Sequence, residues 1–201
     1  MFKVYGDYYS GNCYKVMLLL TQLRQPFEWI HVDILKKETR APEFLAKNPN
    51  GKIPLLEIEP DVFLAESNAI LHYLSEGTDF LPTGKFEHAE VLQWLFFEQY
   101  SHEPYIATSR YIIRYLGAPP EHKKTLEEKR LPGYAALDVM EKHLTNHHYL
   151  VGERYTIADI GLYAYTHVAN EGDFDLSKYR GIRAWLERVK SQRNHITMTG
   201  T

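Results

Sequence analysis

An α/β segment followed by an all-helical one is the architecture that these 201 residues predict. Three observations lead there. Up to Glu76, short alternating runs trade places with runs of helical period; Gly77, Pro82 and Gly84 then interrupt the pattern; beyond Phe86 helical periodicity continues with almost nothing strand-like. The predicted boundaries are 1–76 for the α/β domain, 77–86 for a linker and 87–201 for the helical domain.

The elements follow in order. Phe2-Lys3-Val4-Tyr5 alternates and stops at Gly6-Asp7, as a strand does. Val16, Leu19, Leu20 and Leu23 then recur at helical spacing. After the breaker Pro26, residues 27–32 read as a second strand. The chain therefore opens β-α-β, a crossover that is right-handed and parallel in nearly all proteins. Residues 41–47 read as a short helix entered at Thr39 and Pro42, and Asn48-Pro49-Asn50-Gly51 ends it. Residues 53–58 and 62–64 make a hairpin across Glu59-Pro60-Asp61, and a helix with Ser67 as its expected cap follows. β-α-β followed by β-β-α is the order of the thioredoxin-like fold. In the second domain, helical segments fall at 87–115, 123–144, 156–168 and 182–192.

Bulk properties narrow the function. Twenty-three Lys and Arg are interleaved with 26 Asp and Glu, for a formal net charge of −3. That balance argues against nucleic acid or an anionic membrane as the main partner. No run of 18 apolar residues is present, so no membrane span is expected, and residues 16–20 are too short and too late for a secretory signal. The single cysteine, Cys13, cannot form an internal disulfide and fits a reducing compartment, hence a cytoplasmic protein. Ten histidines show no metal-ligand spacing, so no metal is expected.

Three short stretches carry chemistry. Tyr9-Ser10-Gly11-Asn12-Cys13-Tyr14-Lys15-Val16 joins the first strand to the first helix, where backbone N–H groups and the helix dipole favour an anion such as a thiolate. Ser10 reads equally as a helix cap or as a hydroxyl that meets a thiol. Ser10 and Cys13 span the window where a dithiol redox protein carries Cys-x-x-Cys, so a dithiol cycle within the chain is excluded; Cys13 reads as a packing residue rather than a nucleophile. In Asn50-Gly51-Lys52-Ile53-Pro54-Leu55-Leu56, Pro54 belongs at a strand start. A cis Ile53-Pro54 bond would leave the Ile53 backbone able to pair a peptide as an added strand, and the sequence leaves the isomer open. In Leu64-Ala65-Glu66-Ser67-Asn68-Ala69-Ile70, Glu66 and the helix-end donors around Ser67 can hold an ammonium and a carboxylate, or form a solvated helix start.

On these stretches the chain resembles the cytosolic glutathione transferase family over essentially its whole length, in the manner of bacterial, serine-type, theta-, nu- or beta-like members. Ser-x-Asn-x-x-Lys-Val, Asn-Pro-x-Gly-Lys-Ile-Pro and Glu-Ser-Asn-Ala-Ile-Leu are specific in combination. In the helical part, residues 150–160 resemble the family's buried capping motif, with Thr156 as cap and Asp159 returning a bond.

The resemblance implies a glutathione co-substrate, Ser10 as thiol-activating hydroxyl and Asn12 as a sulfur contact. Ile53, ahead of Pro54, would pair with the cysteinyl backbone. Glu66 and Ser67 would hold the γ-glutamyl end, and Lys52 or Arg40 the glycine carboxylate. Tyr8 or Tyr9 is an alternative thiol partner. Ser10, where beta- and omega-type members have cysteine, weighs against a mixed-disulfide mechanism. The resemblance also implies a homodimer in detoxification and a small electrophile bound between the domains. Residues 97–105 are the candidate wall of that site, with His102, Tyr105 and Ser109 facing it and Pro104 kinking the helix. Three readings follow: a conjugating transferase, a glutathione-dependent disulfide reductase or peroxidase, and a non-catalytic module that keeps only the fold.

Overall fold

The computed structural model describes residues 1–198. They form two compact units, one of residues 1–78 with the described residues from Arg193 on, the other of residues 79–192.

The first unit holds a four-stranded sheet. β1 (Phe2–Gly6), α1 (Gly11–Gln22) and β2 (Phe27–His31) form the opening crossover, with β1 and β2 parallel. A short α2 (Pro42–Leu45) starts on the proline, whose fixed φ suits a first helical position. β3 (Leu55–Glu59) and β4 (Val62–Ala65) form the hairpin, and α3 (Ser67–Ser75) closes the unit. The strand order is β2-β1-β3-β4, with β3 antiparallel to both neighbours. This is the mixed sheet of the thioredoxin-like fold. Val4 sits between Trp29 and Leu56 in the registers, and Leu18, Leu19, Leu20, Leu55, Leu56, Ile70 and Leu71 are at most 1 % exposed. Burying each stabilises by about 1.5–3 kcal/mol.

The chain's end returns to this unit. Tyr14 on α1 donates its hydroxyl to the Ile196 carbonyl at 2.7 Å, and Met198 is buried. Sequence pattern groups residues 193–198 with the helices; a tyrosine–carbonyl bond, which leaves no periodic trace, ties them to α1 instead.

The second unit is all helix: α4 (Lys85–Phe97), α5 (Glu103–Arg110), α6 (Lys123–Leu144), α7 (Ile157–Thr166) and α8 (Arg180–Lys190). The predicted single helix over 87–115 is α4 and α5 with π-helical turns at Glu98–His102 and Tyr111–Tyr115. Pro104 lacks the N–H that would bond the Tyr100 carbonyl, and the widened turn just before it accommodates the ring. Every residue of α7 is buried, since α4, α5 and α8 all pack on it. Among the described residues no helix is long and apolar enough to cross a membrane.

Candidate functional site

Ser10 has extended backbone angles and caps α1, its hydroxyl accepting the Cys13 N–H at 3.4 Å. The first turn of α1 contains no acidic residue. The positive end of its dipole is thus not neutralised from within the helix. In that first turn, Asn12 accepts a hydrogen bond on Oδ1 from the Ser67 hydroxyl at 3.3 Å. Lys15 is fully buried and donates to Ser67 Oγ and to Asn68 Oδ1, both at 3.3 Å. The starts of α1 and α3 are therefore tied through Asn12, Ser67 and Lys15.

Ser67 is the first residue of α3 rather than its cap; Glu66 holds the cap position and caps through no side-chain bond. Glu66 also has φ of 68°, a left-handed backbone that costs a non-glycine residue on the order of 1–3 kcal/mol. Such outliers concentrate where function fixes the backbone. The Glu66 carboxylate is exposed and accepts from Asn50 Nδ2 at 3.4 Å. Asn50 belongs to a loop organised by buried Asn48, whose side chain accepts from Asn50 N at 3.1 Å and donates to the Lys52 carbonyl at 2.8 Å. Gly51 has φ of 61°, and a Cβ there would lie 2.6 Å from Arg40 Nη1, so the position needs glycine. Arg40 donates to the Asn50 carbonyl at 3.2 Å, and both Arg40 and Lys52 are exposed.

The Ile53-Pro54 peptide bond is cis. The predicted strand over 53–58 starts two residues later, because both registers of β3 begin at Leu55, leaving half-buried Ile53 ahead of the ladder. Ser10, Ile53, Pro54 and Glu66 lie on connections at the strand and helix ends of the first unit, Asn12 and Ser67 in the first turns of α1 and α3, Arg40 at the end of a 3-10 turn and Lys52 on the loop before Ile53.

The other candidates are placed differently. Burial pushes the Cys13 thiol up to about 12, so it stays protonated and serves as core. Tyr5 donates to Glu57 Oε2 at 2.7 Å, and burial together with that carboxylate raises its hydroxyl to about 12. Tyr8 stacks on Trp29 with ring centroids 4.7 Å apart, while Tyr9 is exposed. In the second unit His102 and Ser109, expected to face the electrophile, are buried and bonded to their neighbours. His102 is fully buried against Thr166 Oγ1 at 2.9 Å, and buried Ser109 donates to the Tyr105 carbonyl at 2.7 Å. Among the described residues no group of three His, Cys, Asp or Glu is arranged to hold a metal.

Sequence reasoning included Lys15, Asn48 and Asn50 in its motifs but gave them no role in building the site. For Lys15 a signal existed: a lysine inside the apolar run that α1 buries. The asparagines look like any turn.

Family models describe both parts of the chain. The glutathione S-transferase N-terminal domain matches residues 4–79 and the glutathione S-transferase C-terminal domain residues 94–193. The disulfide-bond oxidoreductase YfcG of Escherichia coli (strain K12) is 32% identical over 91% of this chain and 87% of its own. Glutathione S-transferase F10 of Arabidopsis thaliana is 33% identical over 89% and 87%. Among solved structures, a glutathione S-transferase from Pseudomonas fluorescens is 58% identical with a TM-score of 0.97, covering 98% of each chain. A glutathione transferase family member from the same species, with two glutathione bound, is 26% identical with a TM-score of 0.84, covering 96% and 89%. Both domain models in their order, and relatives matched along nearly the whole chain, show that this protein belongs to the glutathione S-transferase family.

Proposed function

We propose that this transferase binds glutathione along the strand and helix ends of its first unit and ionises the thiol at the α1 N-terminus for attack on a small electrophile. The observation that carries this is the tie of Asn12 to Ser67 beside Ser10 at a helix end without an acid of its own. Glu66 takes the γ-glutamyl ammonium and the backbone N–H of Ser67, at the start of α3, its carboxylate; the Ile53 backbone pairs the cysteinyl residue ahead of Pro54; Arg40 or Lys52 meets the glycine carboxylate. Donors from Ser10 and Asn12, with the helix dipole, stabilise the thiolate. The thiol proton leaves to solvent, the sulfur lone pair forms the bond to the electrophilic carbon, and the displaced group departs with its electrons. No metal is required for these steps. The protein acts in the cytoplasm in detoxification and as a homodimer, for which exposed Phe86, Phe96, Tyr100 and Leu131 supply apolar surface.

Calorimetry with glutathione, followed by turnover of a chromogenic aryl halide, tests this reading. Absence of glutathione uptake overturns it. The second reading, a glutathione-dependent disulfide reductase, is favoured by Asn12 and by the oxidoreductase relative. With Cys13 buried, it needs two glutathione molecules side by side. Turnover of hydroxyethyl disulfide without turnover of the aryl halide would select it. A non-catalytic module would do neither.

A further inference from the structure

We infer that Lys15 is a positioning residue for thiol activation: its buried ammonium orients Ser67, and through Ser67 the side-chain amide of Asn12. The inference rests on the reading above in which Asn12 meets the glutathione sulfur.

An ammonium only donates. Lys15 Nζ, with no solvent exposure of its residue, therefore faces the negative ends of its neighbours, Ser67 Oγ and Asn68 Oδ1, each 3.3 Å away. With the cation on Ser67 Oγ, the single hydroxyl hydrogen is directed elsewhere, and it goes to Asn12 Oδ1 at 3.3 Å. Turning the Asn12 amide around would aim its N–H dipoles towards an oxygen already facing a buried positive charge. In a low-dielectric interior that orientation is disfavoured strongly, and chained hydrogen bonds reinforce one another. Asn12 Oδ1 is thus held against Ser67, and Nδ2, the donor end, faces away from it. A thiolate needs a donor. Without the cation, the Ser67 hydroxyl can reverse, the Asn12 amide can turn, and an acceptor can face the sulfur instead.

A lysine at this place has two other roles to distinguish: plain packing, or a charge that holds the γ-glutamyl carboxylate near Ser67. Neither would act through Asn12. The thiolate absorbance of enzyme-bound glutathione, titrated against pH, separates them. In Lys15→Met the thiol pKa should rise by about one unit, which lowers thiolate and turnover about tenfold at pH values below both pKa values. The deficit should close as the pH passes the new pKa. In an Asn12→Ala background the same substitution should change either readout by less than about twofold, because the relay's last member is gone. Lys15→Arg, which keeps a donor-only cation, should restore most of the ionisation.

An unchanged thiol pKa in Lys15→Met, or a full shift in the Asn12→Ala background, overturns the inference. So does a weakened glutathione affinity with no change in thiol pKa. Should Lys15→Met fail to fold by circular dichroism, Lys15→Gln serves, since it fills the site but both donates and accepts; a shift in the same direction supports the relay and none overturns it. If the wild type binds glutathione without lowering its thiol pKa, the parent reading of the site fails, and this inference with it.

Discussion

Two helix starts in this molecule meet the same physical problem and solve it oppositely. The first N–H groups of any helix lack intrahelical acceptors and carry the positive end of the dipole. At α7 the chain fills that end itself. Thr156 accepts the Ala158 N–H, and Asp159 accepts from Thr156 N at 2.9 Å, Thr156 Oγ1 at 3.3 Å, Leu150 N at 3.1 Å and Trp185 Nε1 at 2.9 Å, with Thr156 and Asp159 fully buried. At α1 the side-chain cap is a long bond from Cys13 N to Ser10, no acid stands in the first turn, and Ser10 is only half-buried. A carboxylate supplied by the protein makes a helix start structural. The first turn of α1 has none, and buried Asp7 on the connection before it takes the Tyr9 N–H at 2.7 Å, an arrangement that suits an anion from outside.

The largest effect should come from emptying the closed end. Asp159→Ala strands four donors in the core of the second unit, each costing about 1–3 kcal/mol if left unmet. Partial relaxation leaves an expected loss of about 3 kcal/mol or more, a fall of roughly 10 °C in melting temperature for a chain of this size. A shift under 2 °C by calorimetry would show that the capping box is ornamental. The same carboxylate predicts a pH dependence. Burial, outweighing its four donors, raises Asp159 from 3.8 to about 6. The folded state therefore binds the extra proton, and this contribution to stability falls as pH rises through about 4 to 6. Denaturant titrations of the wild type against Asp159→Asn should show the wild-type advantage shrinking from pH 4 to pH 7; a growing advantage would mean that the donors outweigh burial.

The next effect comes from closing the open end. Asn12→Asp gives α1 the acid that α7 already has. Stability should hold or rise by about 0.3–1 kcal/mol, as a charge of that sign does near a helix start. Turnover with glutathione should fall by about tenfold or more, since a carboxylate beside a thiolate raises the thiol's pKa. Full activity in Asn12→Asp would remove Asn12 from the site.

The difference between the two ends was partly legible in the sequence. Thr156-Ile157-Ala158-Asp159 carries the capping-box spacing, and the structure has both of its bonds. Ser10 is the α1 cap, as its place after the first strand suggests. Local rules see such things because partner and donor lie within four residues. Ser67 was misplaced by one position because Glu66 adopts a left-handed backbone, which residue type does not announce. His102 and Ser109 looked like pocket residues and are core, since whether a polar side chain faces a cleft or a neighbouring helix depends on packing between distant segments. The bond from Ser67 to Asn12 spans 55 positions, and only the folded sheet brings those ends together.

The smallest effect separates the two roles of Ser10, capping and chemistry, and so decides whether the open end is more than an unfinished cap. Glycine is nearly as good a cap as serine, costing a few tenths of a kcal/mol, whereas alanine costs about 1 kcal/mol. Both lack the hydroxyl. If the hydroxyl meets the sulfur, Ser10→Gly and Ser10→Ala should lose turnover alike, by about tenfold or more, although only the alanine variant melts measurably lower. Cys13→Ala, which removes a buried thiol held protonated at about 12, should keep turnover within about twofold while losing about 1 kcal/mol of stability. Steady-state kinetics beside thermal melts make the distinction. Retained activity in Ser10→Gly would reduce Ser10 to the role Thr156 plays at α7, and would leave Asn12 and the backbone N–H groups to hold the sulfur.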